Sequence, residues 1–227
     1  MTVILVVLTF IIIVSATTIA ERRRKRRALE PATGQPDIQW LAVNDFRIPE
    51  GILFHPGHTW ALVGSESDKV QIGIDDFIRK LVDVVDEVVI PKPESRIEIG
   101  DRLLLLKTGT RSIEIPSPVS GIVMGGNASV VGRPSMLGQK NLVDEWLIEL
   151  KPLNLSADFQ TFNVTDKARA WLSSELDRLK DFLHGQSHRP EMVGASLADG
   201  GEPVPGAICR LDPGGIKQFE KEFLGVA

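Results

Sequence analysis

The sequence predicts a mainly β domain with added helices, set behind one N-terminal transmembrane helix. Three observations predict it. Thr2 to Ala20 carries no charge and is rich in Ile, Val and Leu. From Gly51 to Pro152 short apolar runs alternate with turn residues, the spacing of a compact barrel or sandwich. After Pro152 the apolar period lengthens to i, i+3, i+4, that of an amphipathic helix. Apolar residues form 43% of the 227, enough for a real core. The single cysteine, Cys209, excludes a disulfide framework and a multi-cysteine zinc site.

Residues 1–20 form the expected anchor. As a helix rising about 1.5 Å per residue, Thr2–Ala20 spans about 28 Å, close to the hydrocarbon thickness. Six consecutive cations follow: Arg22, Arg23, Arg24, Lys25, Arg26 and Arg27. Cleaved signal peptides place their charge before the apolar run, whereas here it comes after. Cations at that position resist translocation, so the expected topology is single-pass with the body facing the cytoplasm. The same run suits anionic head groups at the membrane surface. The net charge is −4 although residues 21–30 carry six cations against two glutamates, so the body is acidic. An acidic body argues against nucleic-acid binding, which needs clustered cations facing phosphate.

Residues 21–50 read as a basic juxtamembrane segment and tether, with Pro31, Gly34, Pro36 and Pro49 and a short structured stretch around Ile38 to Phe46. In the β domain, 51–152, Trp60–Val63 and Val70–Ile74 read as strands about a turn at Gly64–Lys69. Asp75 caps a short helix carrying Phe77, Ile78 and Leu81. Asp86–Ile90 is a strand closed by Pro91. Arg102–Leu106 and Ser112–Ile115 flank a turn at Thr108-Gly109-Thr110. Gly121–Met124 and Trp146–Leu150 follow as strands. In the helical extension, 153–185, Thr165 caps a helix running to His184, with Ala168, Trp171, Leu172, Leu176, Leu179, Phe182 and Leu183 on one stripe and Gly185 as its C-cap. That stripe packs back on the β domain or faces a partner. Residues 186–227 read as a Gly/Pro-rich linker and a short tail helix started by Asp212-Pro213. Its edge of Ile216, Phe219 and Phe223 is expected to dock on a surface, because so short a helix is marginal alone.

Phe54 to Lys151 resembles the glycine cleavage system H protein family. The resemblance rests on His58-Thr59-Trp60, then on an ungapped match over 52 residues from Val70 to Gly121. Within it Val70-Gln71-Ile72-Gly73-Ile74, Ile90-Pro91, Gly100-Asp101 and Pro118-Val119-Ser120-Gly121 stand at the family's positions. Asn127, Pro134 and Trp146-Leu147-Ile148 follow in order. The resemblance implies a lipoyl-like barrel-sandwich hybrid. It also implies a carrier lysine in a Glu-x-Val-Lys hairpin, and this sequence departs there. The same four positions are Lys107-Thr108-Gly109-Thr110, so Thr110 stands where the lysine would be, and a hydroxyl cannot form the amide. Lys107 lies three residues earlier, on the incoming strand. Glu94 and Asp83 replace further family glycines, so loop shapes are expected to differ.

Other chemistry is thin. His55-Pro56-Gly57-His58 places two imidazoles across a turn without a third ligand, and reads as a turn with one ring hydrogen-bonded. His184 and His188 are separated by the helix end. Cys209 has no flanking partner to activate it. Asp75-Asp76 and Asp83/Asp86/Glu87 read as a cap and a solvated face. There is no phosphate-cradling glycine loop and no nucleophile elbow. The expectation is therefore not an enzyme but a membrane-tethered, non-lipoylated partner-binding module with no cofactor and no metal. Its partners would be membrane lipid and proteins such as glycine-cleavage-type or other lipoyl-docking enzymes. Two alternatives stand beside it: an atypical carrier with lipoate on Lys107, and a structural subunit of a membrane complex. The hairpin register should hold, because an odd slip would turn Leu103 and Leu105 out of the core.

Overall fold

The computed structural model describes residues 40–43, 46–64, 68–82, 84–186 and 205–226. The expected anchor, Arg22–Arg27, Asp83, His188 and most of the 186–205 linker lie outside the described residues. Among the described residues no helix is long and apolar enough to cross a membrane.

Strands β1 (Trp40–Val43) and β2 (Phe46–Pro49) pair antiparallel. The end of the expected tether is therefore a hairpin. Phe46 and Ile48 alternate into the core and are essentially unexposed, which is what fixes it. Strands β3 (Leu53–His55), β4 (Thr59–Val63) and β5 (Val70–Ile74) follow. Trp60 on β4 stands opposite Gly73 on β5, and a Cβ at Gly73 would lie 2.5 Å from the indole. Only glycine lets the ring lie across that strand. Helix α1 (Asp76–Val82) starts at Asp75, whose Oδ1 accepts from the Ile78 N–H at 3.1 Å.

Next come β6 (Glu87–Val89), β7 (Arg96–Ile97), β8 (Arg102–Thr108), β9 (Arg111–Pro116) and β10 (Gly121–Gly126). A short helix α2 (Ala128–Val131) and two 3₁₀ turns lead to β11 (Ile148–Pro152), which begins two residues later than the sequence suggests. The order β3-β4-β5-β11-β10-β7 makes a six-stranded sheet, and β6-β8-β9 a three-stranded one. Every pairing is antiparallel, and the two sheets fit a barrel-sandwich arrangement. A bulge between Arg102 and Leu104 corrects the expected facing of β8. Leu104 and Leu106 point into the core and Leu105 is only half-buried, while Leu103 is also buried, next to the bulge. Glu94 holds φ +68°, a left-handed position taken here without glycine.

The C-terminal part adds α3 (Leu155–Asp158), a 3₁₀ turn, α4 (Thr165–Gln186) and, after the linker, α5 (Pro213–Phe219) running into a π turn at Glu220–Leu224. Helix α4 passes through Gly185, so that glycine is not its C-cap. The expected stripe on α4 is buried, with Trp171 at its edge, and it packs over β2. Asp212 caps α5 through the Gly215 N–H at 2.6 Å, with Pro213 in the first turn. Ile216, Phe219 and Phe223 are buried on this chain's own fold, where Phe182, Phe219, Phe223 and Phe77 form one aromatic cluster. These three side chains are thus corrected from a partner-docking edge to core: folding has already taken up their apolar surface.

Candidate functional site

The β8–β9 hairpin is the first candidate. Its register pairs Lys107 with Ser112 and Thr108 with Arg111, leaving a two-residue loop, Gly109-Thr110. Gly109 has φ +56° and Thr110 does not have a positive φ, the pattern of a type II′ turn with glycine first. The loop is held from below. The Gly109 N–H donates to Asp86 Oδ2 at 2.6 Å, and the Asp86 N–H donates to the Lys107 carbonyl at 2.8 Å. Thr110 stands exposed at the tip. Lys107 Nζ is engaged with Glu87 Oε2 at 2.9 Å, three residues back on the strand. The apex therefore offers a secondary hydroxyl, and the nearest amine on β8 is an ion-paired one. These residues do not fit an amide-linked arm at the tip. Cys209 comes close to the same hairpin: its thiol donates to the Val82 carbonyl at 3.1 Å and lies 3.7 Å from Thr108 Oγ1.

The tail flanks this hairpin. β9 is the outer strand of its sheet, and the Glu114 N–H on it donates to Glu220 Oε1 at 2.8 Å. A side-chain carboxylate thus takes an edge N–H that would otherwise be open to strand addition. Burial pushes the Glu220 carboxyl up, the nearby Glu114 carboxylate adds to this, and the net shift is upward despite the Glu114 N–H and Lys217.

The second candidate is a buried ionisable junction. His58, unexposed and at φ +58°, binds Asp75 Oδ2 through Nδ1 at 2.8 Å. Its Nε2 lies 3.7 Å from Glu175 Oε2 on α4, an ionic contact too long for a hydrogen bond. The ring stacks on Phe77 at 3.9 Å between centroids and meets Trp171 at 5.0 Å. Burial pushes the His58 pKa down, but the two carboxylates outweigh it and the net shift is upward. Glu175 shifts downward overall, burial being overcome by His58 and by Arg178. Arg178 reaches on to the Glu222 carbonyl at 2.9 Å and lies over the Phe223 ring. One polar chain thus runs from the start of α1 through α4 to the tail. Its signal in the sequence was Glu175, a carboxylate set within the apolar stripe of α4; spacing alone could not say which group answered it.

The remaining predicted residues are not brought together. His55 Nδ1 accepts from the Gly57 N–H at 3.0 Å and its ring rests on Phe162, which makes it part of a turn. Burial, then the charge of His58, lowers its pKa to about 4. Among the described residues no group of three His, Cys, Asp or Glu could hold a metal ion.

The glycine cleavage H-protein family model matches residues 52–174. A probable glycine cleavage system H protein of Thermococcus kodakarensis is 27% identical over 53% of this chain and 88% of its own length. The mitochondrial glycine cleavage system H protein of Pisum sativum is 27% identical over 45% of this chain and 61% of its own length. A solved glycine cleavage system H protein from Mycobacterium marinum is 16% identical, with a TM-score of 0.46 over 56% of this chain and 98% of that chain.

Proposed function

This chain belongs to the glycine cleavage H-protein family, a family of lipoyl carriers rather than catalytic enzymes, and from that premise we propose that it is a membrane-tethered, non-lipoylated partner-binding module. The observation that carries the reading is the hairpin register, which leaves Gly109-Thr110 at the apex and Lys107 paired with Glu87 on the strand. A lipoyl amide needs a free lysine amine at an exposed turn, and neither residue supplies it. The module would keep the carrier's docking surface and offer it to glycine-cleavage-type or other lipoyl-docking enzymes. Tethering through residues 1–20, with Arg22–Arg27 on the cytoplasmic side, would raise its local concentration at the membrane.

Intact mass of the protein from its native host tests the cargo. An unmodified mass is expected. A lipoyl increment mapped to Lys107 would establish the atypical carrier instead, a reading favoured only by the 44% exposure of that side chain. A periplasm-type reporter fused after Ala227 tests the topology; it should be silent, and activity would place the body on the other side. The structural-subunit reading would need a surface other than Ile216, Phe219 and Phe223, which are buried on this chain.

A further inference from the structure

Between the hairpin and the tail lies an open cleft of about 590 Å³. Thr110, Arg111, Ser112 and Glu114 form one wall, and Ile216, Lys217, Glu220 and Lys221 the other. Its volume falls within the range of small-molecule sites, roughly 300–1,000 Å³. Three cations face it: Arg111 from β9, and Lys217 and Lys221 from the tail. Neither lysine has a hydrogen-bonded partner among the described residues. Arg111 Nη1 is shut off from solvent with no hydrogen-bond partner, a costly state that a small rotation toward an acceptor would relieve. The two carboxylates on the walls are partly engaged, and Glu220 also attracts Lys217. Glu114 pairs with Arg102 at 3.3 Å, and Glu220 accepts the Glu114 N–H. Apolar surface from Ile216, Pro213 and Val226 adjoins the cations.

We propose that this cleft binds a small organic anion, a carboxylate or phosphate on a short apolar body, held by Arg111, Lys217 and Lys221 beside the hairpin apex. The charged end meets the guanidinium and the two ammonium groups, with the Thr110 and Ser112 hydroxyls as further donors. The apolar body lies along Pro213 and Val226. The three cations outnumber the two carboxylates on the cleft walls, so an anion is attracted there and a cationic ligand is not. The assignment is independent of lipoylation, since it uses no covalent attachment and none of its cations is Lys107.

The full chain in nanodiscs of purely zwitterionic lipid provides the test, because no anionic head group then competes. Methyl NMR follows Ile216, Val226 and Thr110 during separate titrations with hexanoate, inorganic phosphate and hexylamine. The exposed Val63 and Val164 methyls control for non-specific contact. Saturable shifts at the cleft with hexanoate or phosphate, absent with hexylamine, are expected; which anion binds more tightly distinguishes a carboxylate from a phosphate ligand. Arg111→Gln should weaken binding about tenfold, the scale of one charge-assisted hydrogen bond. Lys217→Gln with Lys221→Gln, both at exposed positions where folding is not at stake, should weaken it further, and added salt should do the same. The proposal is overturned if neither anion gives saturable shifts in the millimolar range. It is equally overturned if hexylamine shifts the same methyls, or if the lysine variants bind as the parent does.

Discussion

The His58 junction and the hairpin apex treat polar groups in opposite ways. At the junction, His58, Asp75 and Glu175 are buried, and three separate segments of chain are held through them. At the apex Thr110 is exposed, and the turn is held by Asp86 and the Lys107–Glu87 pair. Removing a partner from a buried network leaves a desolvated charge, whereas a surface pair contributes about 0–1 kcal/mol. On the proposed reading, the difference explains how the fold would keep its structure without a carrier lysine. The apex lies where stability is indifferent, and the added helices are secured elsewhere.

Cutting the junction should therefore have the largest effect. Asp75→Ala removes the partner of His58 and the cap of α1 together, and should cost about 3–5 kcal/mol. Asp75→Asn keeps a capping oxygen and should cost clearly less. Urea midpoints of both variants check this; equal costs would mean that the carboxylate facing His58 matters and the cap does not.

The junction should next show itself in pH dependence. His58 is raised, so its contribution is fully present below the unfolded value of about 6.5 and is lost as pH rises through the folded value. His55 is lowered to about 4, so its contribution is present above about 6.5 and is lost as pH falls toward 4. Each histidine thus erodes stability on a different side of about pH 6.5. Thermal midpoints across pH should fall both ways, and His55→Gln, which keeps an acceptor for the Gly57 N–H, should flatten only the acid side. Ring-proton titration by NMR would separate the two; a His58 value below 6.5 would refute the carboxylate clamp.

Legibility followed the same divide. The strands around Trp60 and Val70, helix α1 and the hairpin were readable because period-two patterns, a cap and turn residues are local signals. The stretch around Ile38 to Phe46 was read as structured, but Ile48 and the core facing of this hairpin were not, because prolines on either side suggested a tether. The tail edge of Ile216, Phe219 and Phe223 was visible, but its surface was not, since its partners Phe182 and Phe77 are distant in sequence. His58 was singled out in the sequence and Glu175 was not, and nothing local joined them across more than a hundred residues. The bulge at Arg102–Leu104 left no mark in a run of four leucines and so inverted the reading of β8.

At the apex the effects should be smaller. Gly109 occupies φ +56°, where a β-branched residue is strained by about 1–2 kcal/mol. Gly109→Val, which restores the family residue expected there, should lower stability by that amount. A neutral result would show that the turn can relax to a non-glycine form.

Thr110→Lys should have the smallest effect on stability and the largest on chemistry. The side chain is exposed at the tip of a two-residue loop, so the change should stay within about 0.5 kcal/mol. It also creates the amine that the apex lacks, with the carrier position fixed by the pairing of Thr108 with Arg111. A slip that carried Lys107 to the tip would shift β8 by three residues and reverse its alternation, exposing Leu104 and Leu106. Burial of each contributes about 1.5–3 kcal/mol, which holds the register in place. In cells supplied with lipoate and its ligases, any lipoyl increment on the variant should therefore map to position 110 and none to Lys107. If Lys107 is modified while the new lysine is not, the register argument fails, and the ligase is reading the strand rather than the turn.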